Sequence, residues 1–311
     1  MAENNTSTKP STQEDANIKN TNPKQSPKKR ASNVQPNNSP SKKLRLEVPK
    51  ILSNGHNQGT AVKTKNKFIY GNYNRYYGYR CEKNVEDVRL IALSQYDEIF
   101  NGKDVLDIGC NDGSLTIALA KRFSINFITG MDIDANLIAK ARRSVLYETQ
   151  AIVNNNDKNV IKQVNFPNNI AFKQCNYVLQ DDGLLELEEP RYDVIMCLSV
   201  TKWIHLNFGD DGLKRAFKRM YRQLKEDGTL ILEAQDWKSY KRRKNLTPEI
   251  NAHYKSIQLP PKHFHDYLLS NEIGFDSSYS IKLPKEHSAD GFKRPIVAYK
   301  KTKKPHIQVS S

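Results

Sequence analysis

The chain has 311 residues, a formal net charge of +15 and 37% hydrophobic residues, with a mean hydropathy of -0.73. That length supports one sizeable core, or two at most, and the low apolar content leaves part of the chain without surface to bury. No apolar run reaches the roughly 18–20 residues that span a bilayer, and the N-terminus is polar where a signal peptide is greasy, so nothing in the sequence is expected to send the chain across a membrane.

Residues 1–66 carry twelve Lys/Arg against four acidic residues, a surplus of eight, which leaves a surplus of seven for residues 67–311. The stretch is rich in Asn, Ser, Thr, Pro and Lys and holds almost no aromatic or periodic apolar residues. It reads as a disordered basic tail that cannot offset its ordering entropy. Its clusters Ser26-Pro-Lys-Lys-Arg30 and Ser39-Pro-Ser-Lys-Lys-Leu-Arg45 read as nuclear-localisation signals or, more blandly, as solvated charge. The positive surplus on the remainder favours a polyanionic partner such as nucleic acid.

At Lys67 the texture changes: Tyr70, Tyr73, Tyr76, Tyr77 and Tyr79 fall within ten residues. From there the chain reads as a helix over about 85–99, a strand at 104–108, a helix near 113–123, a strand at 126–131 and a helix at 135–147. A strand near 170–174, a strand at 192–198, a helix at 211–225 and a strand at 229–233 follow. Residues 149–169, with Asn154-Asn155-Asn156 and Asn168-Asn169, read as an Asn-rich surface insertion. A helix near 261–270 precedes two strands, 277–283 and 294–300, expected to pair as an antiparallel edge hairpin. Strands alternating with helices predict a doubly wound α/β fold, a mostly parallel seven-stranded sheet covered on both faces, in a domain spanning 67–311. Cys81, Cys110, Cys175 and Cys197 have no C-x-x-C spacing, so neither a disulfide nor a metal site is expected.

Asp107-Ile-Gly109-Cys110-Asn111-Asp-Gly113 ends the first strand and opens a helix, the place where such sheets bind ligands. Asp132, closing the second strand, suits the two ribose hydroxyls of an adenosine. A dinucleotide-binding dehydrogenase has a similar layout, but the glycine spacing differs from G-x-G-x-x-G. Asp107 within the turn would repel a pyrophosphate and suits the cationic methionine end of S-adenosylmethionine.

At the end of the fourth strand stands Cys197-Leu198-Ser-Val-Thr-Lys202-Trp203-Ile-His205. This is neither the Asn/Asp-Pro-Pro-Tyr of an exocyclic-amine methyltransferase nor the Pro-Cys of a cytosine C5 enzyme. It sets a cation, Lys202, beside the reactive methyl, which fits an anionic acceptor. Trp203 reads either as core or as a stacking platform, and His205 as a packing residue or a base. The run from Lys238 to Lys244, with Lys241, Arg242 and Arg243, reads as an RNA-backbone contact or a solvated loop.

With these strings in order, the chain resembles the bicoid-interacting protein 3 family of RNA methyltransferases, the methylphosphate capping enzymes. The resemblance runs from Tyr70-Gly-Asn-Tyr-x-x-Tyr-Tyr-Gly-Tyr-Arg80 through Leu198-Ser-x-Thr-Lys-Trp-x-His-Leu-Asn207 and Trp237-x-Ser-Tyr240 to Gly291-Phe-x-Arg-Pro295. It implies S-adenosylmethionine as cofactor and methyl transfer to the γ-phosphate at the 5′ end of a small nuclear RNA such as 7SK, within a small nuclear ribonucleoprotein in the nucleus. It further implies that Tyr70, Arg80, Gly109, Cys110, Asn111, Asp132, Ile133, Asn176, Tyr177 and Leu198 line the cofactor, beside Asp107 and Gly113 of the turn. Lys202 is to meet the terminal phosphate, and Arg75, Trp203, His205, Lys241, Arg242 and Arg243 the RNA. A sister branch methylates 5′-monophosphates, and an RNA-holding protein that never turns over is the reading from another class.

Overall fold

The computed structural model describes residues 68–73, 86–154, 165–284 and 294–302. The expectations for residues 1–66, Arg75, Arg80 and Cys81 lie outside them. In chain order the described elements are α1 (Val88–Leu93), β1 (Asp104–Ile108), α2 (Ser114–Arg122), β2 (Phe127–Asp132), α3 (Ala135–Asn154), β3 (Ile170–Gln174) and β4 (Tyr192–Leu198). They continue with α4 (Thr201–Gln223), β5 (Leu224–Glu233), α5 (Trp237–Lys241), α6 (Pro248–Ser256), α7 (Phe264–Leu269), β6 (Ser277–Ile281) and β7 (Ile296–Lys300).

The seven strands form one sheet in the order β3-β2-β1-β4-β5-β7-β6. β1 to β5 run parallel, while β7 is antiparallel to both β5 and β6. The expected hairpin forms, but its second strand enters the sheet and its first becomes the edge. Successive residues of the central strands face opposite layers. Val105, Val194, Met196 and Ile231 pack with Leu93, Phe100, Leu119, Phe123 and Ile138 on one side. Leu106, Ile195, Cys197, Leu230 and Leu232 pack with Phe217, Met220, Phe264 and Leu268 on the other. Strands buried on both faces lose the hydrophobic alternation of a half-exposed strand, and each fully buried aliphatic side chain contributes about 1.5–3 kcal/mol.

The helix expected over about 85–99 is shorter, with α1 covering Val88–Leu93, and the strand expected at 229–233 starts earlier, at Leu224. Three larger differences bear on the site. The helix expected at 211–225 begins ten residues earlier, at Thr201, and breaks at Gly209 (φ 66°, ψ -169°). Residues 201–206 are all buried, so this first segment shows no polar face and no amphipathic period. The Asn-rich segment is not simply a surface insertion. Its start continues α3 to Asn154, and its end packs inward, with Phe166 and Asn169 buried and the Asn169 amide donating to Ala120 O and Ile125 O. The third difference is α5 and α6, short helices announced only by their caps. Asp236 accepts from Ser239 N, and Thr247 accepts from Ile250 N with Pro248 at the first helical position.

Candidate active site: two adjoining clefts

Carboxyl ends of parallel strands open onto two clefts. The first encloses about 920 Å³ and is lined by the β1–α2 turn, the ends of β2 and β4, the segment Cys175–Val178, and the stretch Tyr70–Asn72 laid across the mouth. In the turn, Gly109 N and Cys110 N both donate to Met131 O (2.7 and 2.9 Å), tying β1 to β2. Asp132 Oδ2 accepts from Asn111 N and Oδ1 from Asp134 N, both at 2.9 Å. Asn111 itself sits at φ 54°, a left-handed conformation that Asn tolerates better than most residues. Tyr70–Asn72 is held by Asn72 Nδ2 donating to Asp134 Oδ2 (2.6 Å) and Asn207 Nδ2 donating to Ile69 O (3.0 Å).

Tyr70, Asp107, Gly109, Cys110, Asn111, Asp132, Ile133, Asn176, Tyr177 and Leu198, ten of the residues expected around a cofactor, all line this one cleft. Gly113 does not. It stands under the turn at φ 77°, where an added Cβ would lie 2.6 Å from Phe172 Cζ, so its role is to let the core close beneath the site. Sequence reasoning missed Arg89, which lines the cleft although only 2% exposed. Its guanidinium donates to Asp87 (2.6–3.2 Å) and stands 3.6 Å from Glu233 Oε2. In the sequence it reads as an ordinary surface charge of an amphipathic helix.

Burial pushes the Asp107 carboxyl up to about 6, against the opposing hydrogen bond from Thr116 and the charge of Arg89. Burial likewise raises Asp132 to about 6, against the backbone N–H groups of Asp134 and Asn111. S-adenosylmethionine fits this lining. Its hydroxyls, amine and ammonium need acceptors, and the cleft offers two carboxylates plus the buried side-chain Oδ1 atoms of Asn72 and Asn111, which have no hydrogen-bond partner among the described residues, between apolar walls such as Ile108, Met131 and Val178.

A pH dependence follows from those two raised carboxyls. The cationic cofactor requires the ionised form, so affinity is full above about pH 7 and falls as pH drops through about 6, by up to about tenfold per unit for each proton taken up. The same shifts make the ligand-free fold lose stability as pH rises from about 4 to about 6, because the folded state holds these protons more tightly than the unfolded chain. Calorimetric titration with S-adenosylhomocysteine from about pH 5 to about pH 8 checks the first; affinity flat across that range would refute it.

The second cleft, about 490 Å³, is lined by Tyr73, Ser199, Lys202, Trp203, Gln235, Ser239, Arg242, Arg243 and Arg294. It shares Ser199 and Trp203 with the first. Gln235 staples its floor: Oε1 accepts from Thr201 Oγ1 and Lys202 N, both at 3.0 Å, and Nε2 donates to Ser199 O. This holds Lys202 in the first turn of α4, with Nζ donating to Ser239 Oγ at 2.8 Å and lying 4.3 Å from the Trp203 ring centre. Trp203 is thus the partition between the clefts. Arg242 and Arg243, just past α5, join the lining, whereas Lys241 is exposed and takes no part in it.

His205 does not face a ligand. It is fully buried, with Nε2 at 2.5 Å from Asp210 Oδ1 and Nδ1 at 3.3 Å from the Tyr240 hydroxyl, and burial lowers its pKa although Asp210 opposes this. A lone histidine in an all-buried helical turn gives no sign in the sequence of which way it points. His205→Ala is expected to cost about 2–3 kcal/mol of stability, by stranding Asp210 and Tyr240, and to change RNA affinity by less than about threefold. Thermal melts beside RNA-binding isotherms check this.

The family model described as Bicoid-interacting protein 3 (Bin3) matches residues 192–301, and a methyltransferase domain model matches residues 106–230. The chain is 45% identical over 249 residues to the U6 snRNA methylphosphate capping enzyme Amus of Drosophila melanogaster, covering 79% of this chain and 80% of that protein. The chain belongs to the bicoid-interacting protein 3 family. It is also 38% identical over 289 residues to the human 7SK snRNA methylphosphate capping enzyme, covering 78% of this chain and 41% of that longer protein. The human RNA 5′-monophosphate methyltransferase is 25% identical over 240 residues, 67% of this chain and 74% of that one. As a member of the bicoid-interacting protein 3 family built on the methyltransferase sheet, the chain uses S-adenosylmethionine.

Proposed function

We propose that this family member transfers a methyl group to the γ-phosphate at the 5′ end of a small nuclear RNA of the 7SK kind. The observation that carries the reading is the lining of the second cleft. It presents four cations and, among the described lining residues, no carboxylate and no histidine. A base is not needed there if the acceptor is already a nucleophile. A terminal phosphate has its second pKa near 6 and is mostly dianionic at pH 7, so its oxygen reacts without giving up a proton in the step.

S-adenosylmethionine, when bound, supplies an electrophilic methyl on its sulfonium. The chain does the rest by placement. Asp132, Asn111 and the Tyr70–Asn72 stretch hold the cofactor, with Asp107 facing its cationic end. Lys202, fixed by Gln235 and Ser239, meets the terminal phosphate and orients one oxygen toward the methyl. A single ammonium serves better than a bidentate clamp at that oxygen, since too close a pairing blunts the nucleophile. Arg242 and Arg243 take the adjoining phosphates and the RNA backbone, and Trp203 keeps the two ligands in register.

Greater likeness to proteins named as methylphosphate capping enzymes, 45% and 38% against 25% for one named as a 5′-monophosphate enzyme, supports the triphosphate end. A nuclear place and a ribonucleoprotein partner belong to the same reading, supported by the basic clusters at 26–30 and 39–45. The test is methyl transfer from labelled S-adenosylmethionine to one short RNA bearing a 5′-triphosphate, 5′-monophosphate or 5′-hydroxyl. Label on the triphosphate form, lost on cleaving the terminal phosphate, is expected. Label on the monophosphate alone moves the chain to the sister activity. Cofactor binding without label on any form leaves an RNA-holding protein.

A further inference from the structure

The antiparallel insertion of β7 has a chemical result. Every parallel strand ends at the clefts, but β7 begins there, and with Val297 paired to Leu232 the residues just ahead of it stand beside Glu233. Arg294 is one of them. Its Nη1 donates to Ser199 Oγ at 2.6 Å and to Glu233 Oε1 at 3.0 Å, and its side chain lines the second cleft opposite no acid of that lining. Glu233 is 1% exposed and also accepts from Ser199 Oγ at 2.7 Å. Ser199, a non-glycine residue at φ 61°, is held in that costly backbone state where its hydroxyl joins both partners.

We infer that Arg294 is a specificity-determining residue that reads the number of phosphates on the RNA end, with Glu233 and Ser199 as positioning residues for its guanidinium. A guanidinium has five N–H donors, and the bonds to described residues use those of Nη1 alone. The remaining fork suits a phosphate bidentately. Glu233 fixes the fork at its root and partly offsets its charge, so the grip does not become too tight to release. An arginine that shares the lining of the second cleft with Lys202, while Lys202 takes the terminal phosphate, engages a second phosphate of a triphosphate, which a monophosphate lacks. Glu233 also faces Arg89 in the cofactor cleft at 3.6 Å, so one carboxylate orders a cation in each cleft.

This assignment rests on the second cleft taking phosphate, and its test separates the two ideas. In the full chain, Arg294→Gln is expected to raise KM for 5′-triphosphate RNA by about 10–100-fold, the loss of one charge-assisted contact. With kcat changed less than about threefold and KM for 5′-monophosphate RNA within about twofold, the preference between the two ends collapses; Arg294→Lys restores part of it. S-adenosylhomocysteine affinity stays level. Equal losses on both RNA ends together with weaker cofactor binding would reduce Arg294 to a packing partner of Glu233 and overturn the inference. Calorimetry with inorganic tripolyphosphate is the readout independent of turnover: binding weakened about tenfold or more by Arg294→Gln supports it, and unchanged binding overturns it. If the wild-type chain labels no RNA yet binds tripolyphosphate through Arg294, the proposed reaction fails and the assignment stands.

Discussion

Replacing Lys202 by alanine is expected to cut methyl transfer by roughly 10²–10³-fold while the cofactor dissociation constant stays within about threefold. The split follows from geometry. Lys202 lines the second cleft and not the first, so on the proposed reaction its ammonium meets the acceptor without touching the cofactor. In the variant the bond from Nζ to Ser239 Oγ is lost, and the backbone N–H of residue 202 keeps its bond to Gln235. Single-turnover rates, cofactor titration and a thermal melt together check the point. Equal collapse of turnover and cofactor affinity would show instead that the Lys202–Ser239 bond holds the floor of both clefts.

Gly71→Ala is expected to lower cofactor affinity by roughly 10–100-fold and the unfolding midpoint by only a few degrees. Gly71 sits at φ 74°, and an added Cβ would fall 2.1 Å from Trp203 Nε1. Trp203 is 8% exposed, and its carbonyl is bonded by the Asn207 amide that also holds Ile69 O, so the indole has little room to retreat. The stretch 68–73 must lift instead, which breaks Asn72 Nδ2 to Asp134 and the long contact of Asn111 Nδ2 with Tyr73 O. Tyr70 and Asn72 then cease to wall the cofactor. The cores on the two faces of the sheet lie elsewhere, hence the small thermal effect. Full affinity in the variant would mean that this stretch is not a wall of the site.

What the sequence disclosed and what it hid divide along physical lines. The β1 turn and Asp132 were legible because a ligand-binding strand–turn–helix is written in contiguous residues whose backbone needs show as Gly and Asn. Lys202 was legible for the same reason, being fixed by its place after β4. The first segment of α4 was not, since a helix buried all round has no period to detect. The sequence leaves His205 open between a packing residue and a base, with only the resemblance setting it toward the RNA, because side-chain direction within such a helix depends on what α5 and α6 pack against it. Arg89 was missed, and Arg294, though it stands in the string Gly291-Phe-x-Arg-Pro295, was given no role, for a third reason. Each looks like an ordinary exposed charge until the sheet order places it, the first against Asp87 and Glu233, the second beside Ser199.

The partition between the clefts has an experimental use. The chain has two tryptophans. Trp237 stacks on Tyr240 and Tyr254, with ring centres 5.3 and 5.0 Å away, and belongs to neither lining. Trp203 borders both ligands and carries the Lys202 ammonium over its ring. With Trp237 replaced by phenylalanine, the one remaining indole is an intrinsic fluorophore set at the meeting point of donor and acceptor. Its emission, followed in stopped flow, separates the arrival of cofactor from the arrival of RNA in time, and so gives the order of substrate addition without any label on the protein.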